Sequence, residues 1–234
     1  MMPAQLPLTF EFRANQTFDD YFPGNNLEIY QQIRKFASGK GEEFIYLWGN
    51  PGHGKTHLLN ACCGEASRWH LKSFYLDLTD SISANPGLFI GLEEFEIVCL
   101  DNIDALAGYV DWELALFNFY NQQRDRAHKL LVSAKCPPGA INFNLPDLQS
   151  RIAWGLALKI NDFDDGNKIA ALSFKAQQKG LELSPQVARF LLTRHERGIT
   201  SLWSLLDKLD LASLAAKRKL TIPFLKEILN QPEK

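Results

Sequence analysis

The stretch FIYLWGNPGHGKTHLL, residues 44–59, decides how the rest of the chain is read. Residues 44–48 form a short apolar run, rich in aromatics and bounded by Gly49, as a buried strand requires. Gly49-Asn50-Pro51-Gly52-His53-Gly54-Lys55-Thr56 then fills the pattern G-x-x-x-x-G-K-[ST] completely. Residues 56–69 carry helix formers, with Gly64 as the one glycine. Strand, glycine-rich loop and helix in that order are the context of a phosphate-binding loop. Glycines let backbone N–H groups turn inward around a polyphosphate without Cβ clashes, and the helix starting near Lys55 adds its positive dipole end. Lys55 is expected to reach the β- and γ-phosphates, and the Thr56 hydroxyl to bind Mg²⁺. The nucleotide-binding set read from this stretch, for ADP or ATP, is Gly49, Asn50, Pro51, Gly52, His53, Gly54, Lys55, Thr56 and His57.

Working outward, TFDDYFPG at 17–24 precedes a helix expected over 26–36. Its Phe18 and Phe22 either floor an adenine pocket or form core under that helix. A second strand is expected over 71–78, a helical turn at 92–95, and an apolar strand over 96–102 that closes on Asp101-Asn102. An Asp at the end of such a strand completes the Mg²⁺ site with Thr56, so Asp101 joins the metal set; the alternative is an Asp that caps the following turn. Residues 111–128 are amphipathic, with Trp112, Leu114, Leu116, Phe117 and Tyr120 on or near one face. A fourth strand at 129–134 is followed by the breaker Pro137-Pro138-Gly139. A short helix over 145–152 carries Arg151 near its end, and a fifth strand spans 154–160. Beyond 161 only helical periodicity remains, with helices expected over 167–179, 185–195, 201–217 and 223–229. The chain thus divides into a tail at 1–15, an α/β nucleotide-binding domain at 16–161 and a helical lid at 162–234.

A net charge of −2 and a charged fraction of 22% argue against a broad duplex-binding surface. The cysteines, Cys62, Cys63, Cys99 and Cys136, show no zinc spacing, so core packing in a reducing compartment is expected. Neither a membrane span nor a signal peptide is legible, which predicts a cytoplasmic protein. The tail holds Gln5-Leu6-Pro7-Leu8-Thr9-Phe10, whose three large apolar side chains have no local core. They form either a linear motif that docks in a partner's groove or a segment folded back on the domain.

Together these features resemble AAA+ ATPases. Within them, TFDDYFPGNN from Thr17, IYLWGNPGHGKTHLLNA from Ile45, VCLDNID from Val98, LPDLQSRIAWGLALKI from Leu145 and RKLTIPFLKEIL from Arg218 are similar to the Hda family of DnaA-related proteins. The similarity covers nearly the whole chain. It implies an AAA+ P-loop fold, with a five-stranded parallel sheet and a C-terminal helical lid closing over a nucleotide, usually ADP. It implies that Gln5, Leu6 and Leu8, with Phe10 as a further anchor, bind the sliding clamp of DNA polymerase. It also implies that Arg151 is an arginine finger, acting in trans on ATP bound to the replication initiator DnaA. The product, ADP-DnaA, cannot start another round of replication. DNA is then met only through the clamp, no membrane is involved, and nucleotide-dependent self-association stays open.

The chain departs from the family pattern in places. Asn102 stands where many AAA+ enzymes have the Glu or Asp that orients the attacking water, and Asn cannot act as a base. Ala134 aligns with an Asp of DnaA-like proteins, which leaves Ser133 as the polar candidate there. Thr200 aligns with the lid's sensor Arg, with Arg197 three residues earlier. Weak hydrolysis in cis is expected. The short segment before the third strand and the end of the chain after the lid predict no direct sequence-specific DNA binding. Two competing readings are an ATPase acting by its own turnover, such as a helicase loader, and a small P-loop kinase, for which Arg194 and Arg197 would be the lid arginines.

Overall fold

Five short runs rich in apolar residues form one parallel sheet: β1 Phe44–Trp48, β2 Ser73–Asp77, β3 Ile97–Asp101, β4 Lys129–Ala134 and β5 Leu156–Lys159. They lie in the order β2-β3-β4-β1-β5 in a computed structural model that describes residues 16–195, 198–216 and 219–229. The central strands β3 and β4 are buried along their whole length, whereas the edge strand β5 alternates half-buried and exposed residues. That is the pattern of a parallel sheet covered on both faces.

The period-two alternation sorts side chains onto two cores. Ile45, Leu47, Ile97, Cys99 and Leu131 pack under α1 Leu27–Ala37 and α2 Lys55–Arg68. Tyr46, Val98, Leu100, Leu130 and Val132 pack with α4 Val110–Asp125 and α5 Pro146–Ile152, which follow the four-residue α3 Leu78–Ser81. In α4 the buried face is Trp112, Leu116, Phe119 and Tyr120. Leu114, expected on that face, is 50% exposed, because the helical phase places Phe119 there instead. The expected strand at 71–78 ends earlier than its apolar pattern. The Asp77 carboxylate accepts a bond from Thr79 N at 2.9 Å and starts α3.

The described chain forms two compact units, one of residues 16–21 and 28–160, the other of 22–27 and the residues from 161 onward. In the second unit, α6 Asp165–Gln178 is capped by Asp164 and α7 Pro185–Arg194 by Ser184. With α8 Ile199–Ala216 and α9 Ile222–Leu229, these helices enclose small cores around Leu172 and Leu191. Residues 22–27 are held there by a reciprocal pair: Asn26 Nδ2 donates to Asn161 O at 3.0 Å, and Asn161 N donates to Asn26 Oδ1 at 2.8 Å. Sequence alone places that segment with the α/β domain.

Candidate functional site

The chain leaves β1 through a loop that only glycine allows at two points. A Cβ at Gly49 would meet Ile160 O at 2.9 Å. Gly54, with φ 86°, caps α2 in the left-handed region, and a Cβ there would lie 2.8 Å from the Tyr21 ring. Asn50, Pro51 and Gly52 form the exposed part of the loop. The first turn of α2 follows at once, so its N–H groups without intrahelical partners open onto the loop.

Lys55 begins α2 and folds back over the loop. Its Nζ donates to Gly49 O at 2.7 Å and to Asn50 O at 2.9 Å, and the residue is 6% exposed. Burial pushes the ammonium below its ordinary pKa, while Asp101 and Asp104 oppose that shift. The Thr56 hydroxyl donates to Asp101 Oδ2 at 2.5 Å, so the structure joins two residues 45 positions apart. Asp101 is fully buried and also accepts bonds from Tyr75 OH, at 3.0 Å, and from the Ser133 hydroxyl. A hydroxyl and a carboxylate at the foot of a glycine cradle are the hard oxygen donors that fit Mg²⁺ beside a polyphosphate.

Asn102 follows Asp101 with φ 60°. Its N–H donates to Ser133 Oγ at 3.1 Å, and its amide donates to Asp77 Oδ1, also at 3.1 Å. Ser133 therefore serves Asp101 and Asn102 together, and the next residue, Ala134, is buried.

Three residues named with the loop point elsewhere. Phe18 is 3% exposed and meets Tyr30 edge-on at 5.3 Å, so it packs in the core under α1. Phe22 belongs to the second unit, where its ring lies 5.7 Å from those of Phe163 and Phe174. His57 is turned toward residues 17–21, with Nε2 2.7 Å from Thr17 O and its ring 5.4 Å from Tyr21.

Arg151 sits in the last turn of α5, anchored by Leu148 and Ile152, both fully buried. Its guanidinium lies 4.6 Å from the centre of the Trp154 ring. Trp154 is 70% exposed. The chain must pass hard against Phe44 at Gly155, where a Cβ would meet Phe44 O at 2.8 Å, so the space behind it is already filled. Among the described residues Arg151 makes no ion pair with Asp147. Strand register fixes its place: β5 begins with Leu156 opposite Ile45, whereas the glycine loop follows Trp48, opposite Lys159. Three residues of strand separate these levels, about 10 Å, and α5 precedes β5. Arg151 therefore stands near the end of the sheet away from the loop.

Sequence reasoning missed Glu113. Its fully buried carboxylate accepts bonds from Gly108 N and Leu145 N, both at 2.8 Å, and ties the start of α4 to the start of α5. An acid in the first turn of a helix was the sole signal, and it says nothing of Leu145. Gln5, Leu6, Leu8, Phe10 and Arg197 lie outside the described residues. Thr200 is exposed on α8. Among the described residues no group of three His, Cys, Asp or Glu side chains gathers for a metal, and no helix is long and apolar enough to cross a membrane.

AMPPCP-bound DnaA from Aquifex aeolicus is similar in structure, with a TM-score of 0.74 at 21% identity over 84% of this chain and 66% of that one. Domain III of Thermotoga maritima DnaA gives 0.75 at 20% identity, over 93% and 98% of the two chains. The Thermotoga maritima RuvB branch migration motor gives 0.69 at 18%, over 94% and 74%. The chain thus spans about two thirds of the length of the Aquifex DnaA structure. At these identities the likeness is one of fold: an α/β AAA+ domain with a five-stranded parallel sheet and a C-terminal helical lid. The lid matches the family model of the Hda lid domain over residues 165–229. The model of the bacterial DnaA ATPase domain matches residues 12–159, well over half of the chain, and the chain therefore belongs to the family of bacterial DnaA ATPase domains, with an Hda-type lid.

Proposed function

We propose that this chain is a nucleotide-bound replication regulator, held to the sliding clamp of DNA polymerase, that supplies Arg151 to the ATP site of DnaA and so promotes hydrolysis there. The observation that carries the reading is the position of Arg151. It stands at the far end of the sheet from the chain's own glycine loop, free of Asp147 and stacked on an exposed Trp154. A guanidinium so placed is available to a second molecule and out of reach of its own nucleotide. Phosphoryl transfer spreads charge over the γ-phosphate oxygens, and the planar fork of Arg stabilises it through two parallel donors.

The chain's own loop has the parts to hold ADP or ATP. Backbone N–H groups of 49–56 other than Pro51, with the Lys55 ammonium, would take the phosphates, and Thr56 with Asp101 would hold Mg²⁺, which neutralises phosphate charge. Similar DnaA structures carry AMPPCP, which supports this use of the loop. Clamp binding is assigned to Gln5, Leu6, Leu8 and Phe10, and nucleotide-dependent self-association is compatible with the scheme. The rival reading, an ATPase working by its own turnover, asks for a carboxylate beside Asp101. Asn102 offers an amide already committed to Asp77. Turnover by the chain alone should fall below the roughly 1–10³ s⁻¹ typical of enzymes.

The test combines this protein, ATP-DnaA and clamp loaded on DNA. Arg151→Ala should keep the fold, ADP affinity and clamp binding, yet lose nearly all stimulation of DnaA, since fingers supplied in trans are worth roughly 10³–10⁵ in rate. Arg151→Lys keeps the charge, loses the fork and should recover little. Stimulation by Arg151→Ala equal to the parent's would sink the assignment.

A further inference from the structure

Where β2 and β3 end side by side, Asp77 and Asp101 are paired in register, and Asn102 Nδ2 donates to Asp77 Oδ1 at 3.1 Å. Both partners are fixed by other bonds. Asp77 Oδ1 also accepts Thr79 N at 2.9 Å as the cap of α3. Asn102 is held at φ 60°, a left-handed position that Asn tolerates, and its N–H is bound to Ser133 Oγ at 3.1 Å. Ser133 in turn donates to Asp101, so the side chain at position 102 is delivered beside the Thr56–Asp101 pair with little freedom. Asp77 there demands a donor. An ionised carboxylate at position 102 would face a second carboxylate at hydrogen-bond distance, and two such groups repel.

We infer that Asp77 silences the chain's own nucleotide site: it selects an amide at position 102 and thereby excludes the carboxylate that would orient water for attack on ATP. The inference rests on the reading of residues 49–56 and Asp101 as a nucleotide site. In hydrolysis the water oxygen bonds to the γ-phosphorus as the bond to the bridging oxygen breaks. ADP leaves with that electron pair, and the water gives up a proton. A carboxylate can align that water and accept its proton, whereas the amide of Asn102 offers an NH₂ group already given to Asp77 and no basic site. Asp77 is a positioning residue in this scheme, since it acts through Asn102.

A charge swap tests it. Asp77→Asn combined with Asn102→Asp reverses the polarity of the hydrogen bond and sets a carboxylate beside Asp101. Asn at position 77 remains a good cap for α3. Thermal midpoint, ADP affinity by calorimetry and ATP turnover with Mg²⁺ are measured for the parent, both single variants and the double variant. Asn102→Asp alone should lower the midpoint by several degrees, and the double variant should regain most of that loss. Turnover by the double variant should exceed the parent's at least tenfold. Asp77→Ala with Asn102→Asp removes the repulsion without restoring a hydrogen bond, and it too should exceed the parent, which guards against a failure peculiar to the swap. Variants that bind ADP as the parent does and turn over no faster would overturn the inference, as would strictly additive midpoints. A parent that binds no ADP and no ATP would instead remove the nucleotide reading beneath it.

Discussion

Lys55 spends two strong hydrogen bonds on the carbonyls of its own loop, at Gly49 and Asn50. A polyphosphate competes for the same ammonium with anionic oxygens, and charge-assisted bonds are roughly twice as strong as neutral ones. Burial lowers the pKa of Lys55, so a bound anion also relieves the cost of keeping it charged. Lys55→Ala should therefore weaken ADP binding at least tenfold, about 1.4 kcal/mol, and calorimetry showing unchanged affinity would refute the phosphate role. The loop and its lysine were legible because glycine placement and a helix start are local matters, written in eight consecutive residues. The meeting of Thr56 with Asp101 was legible because Asp101 ends a parallel strand and Thr56 lies in the first turn of the helix that the glycine loop joins to another. The aromatic residues were not. Phe18, Phe22 and Trp154 carry no local sign of direction; each is turned by where the chain goes next, into the core under α1, into the second unit, or outward ahead of the tight passage at Gly155.

The helix α5 is seven residues long, too short to be stable alone, yet it carries Arg151. Leu148 and Ile152 hold its flank, and Glu113 holds its start. A carboxylate that accepts two backbone N–H groups inside the protein leaves a donor unpaired when it is altered. Glu113→Gln keeps the volume but turns an NH₂ group toward one of those donors, and urea denaturation should record a loss of about 1–3 kcal/mol. A loss below half a kilocalorie would mean that α5 is held by its apolar flank alone. Elements were legible in proportion to how local their signals are. The strands at 44–48 and 129–134 keep the bounds their apolar runs suggest, whereas the expected strands at 71–78 and 154–160 shrink to β2 and β5. The order β2-β3-β4-β1-β5 is not written in any single segment, because it depends on which strands the crossing helices bring together. Glu113 belongs to the same class: its partner Leu145 lies 32 residues away.

Over the whole molecule, the proposed function gives two tasks to parts far apart in sequence: recruitment to the tail motif at Gln5 and chemistry to Arg151. Arg151 lies away from the chain's own loop, so the action proposed for it would require encounter with a second protein, and encounter depends on concentration. In that proposal, binding to a clamp on the same DNA as DnaA would replace free encounter with a high local concentration and multiply the rate without any new contact at the reacting atoms. The two parts should then fail in different ways. A protein with both Leu6→Ala and Leu8→Ala should lose clamp binding and, at low concentration, stimulation of DnaA. Raising its concentration should restore stimulation toward the parent's maximum, because Arg151 is intact. Arg151→Ala should stay inactive at every concentration while still binding the clamp. The thermal midpoint of the Leu6/Leu8 variant should match the parent's; a large fall would show that these side chains belong to the core. If that variant stays silent at saturating concentration with its midpoint unchanged, the tail acts on DnaA itself, and a tether does not describe it.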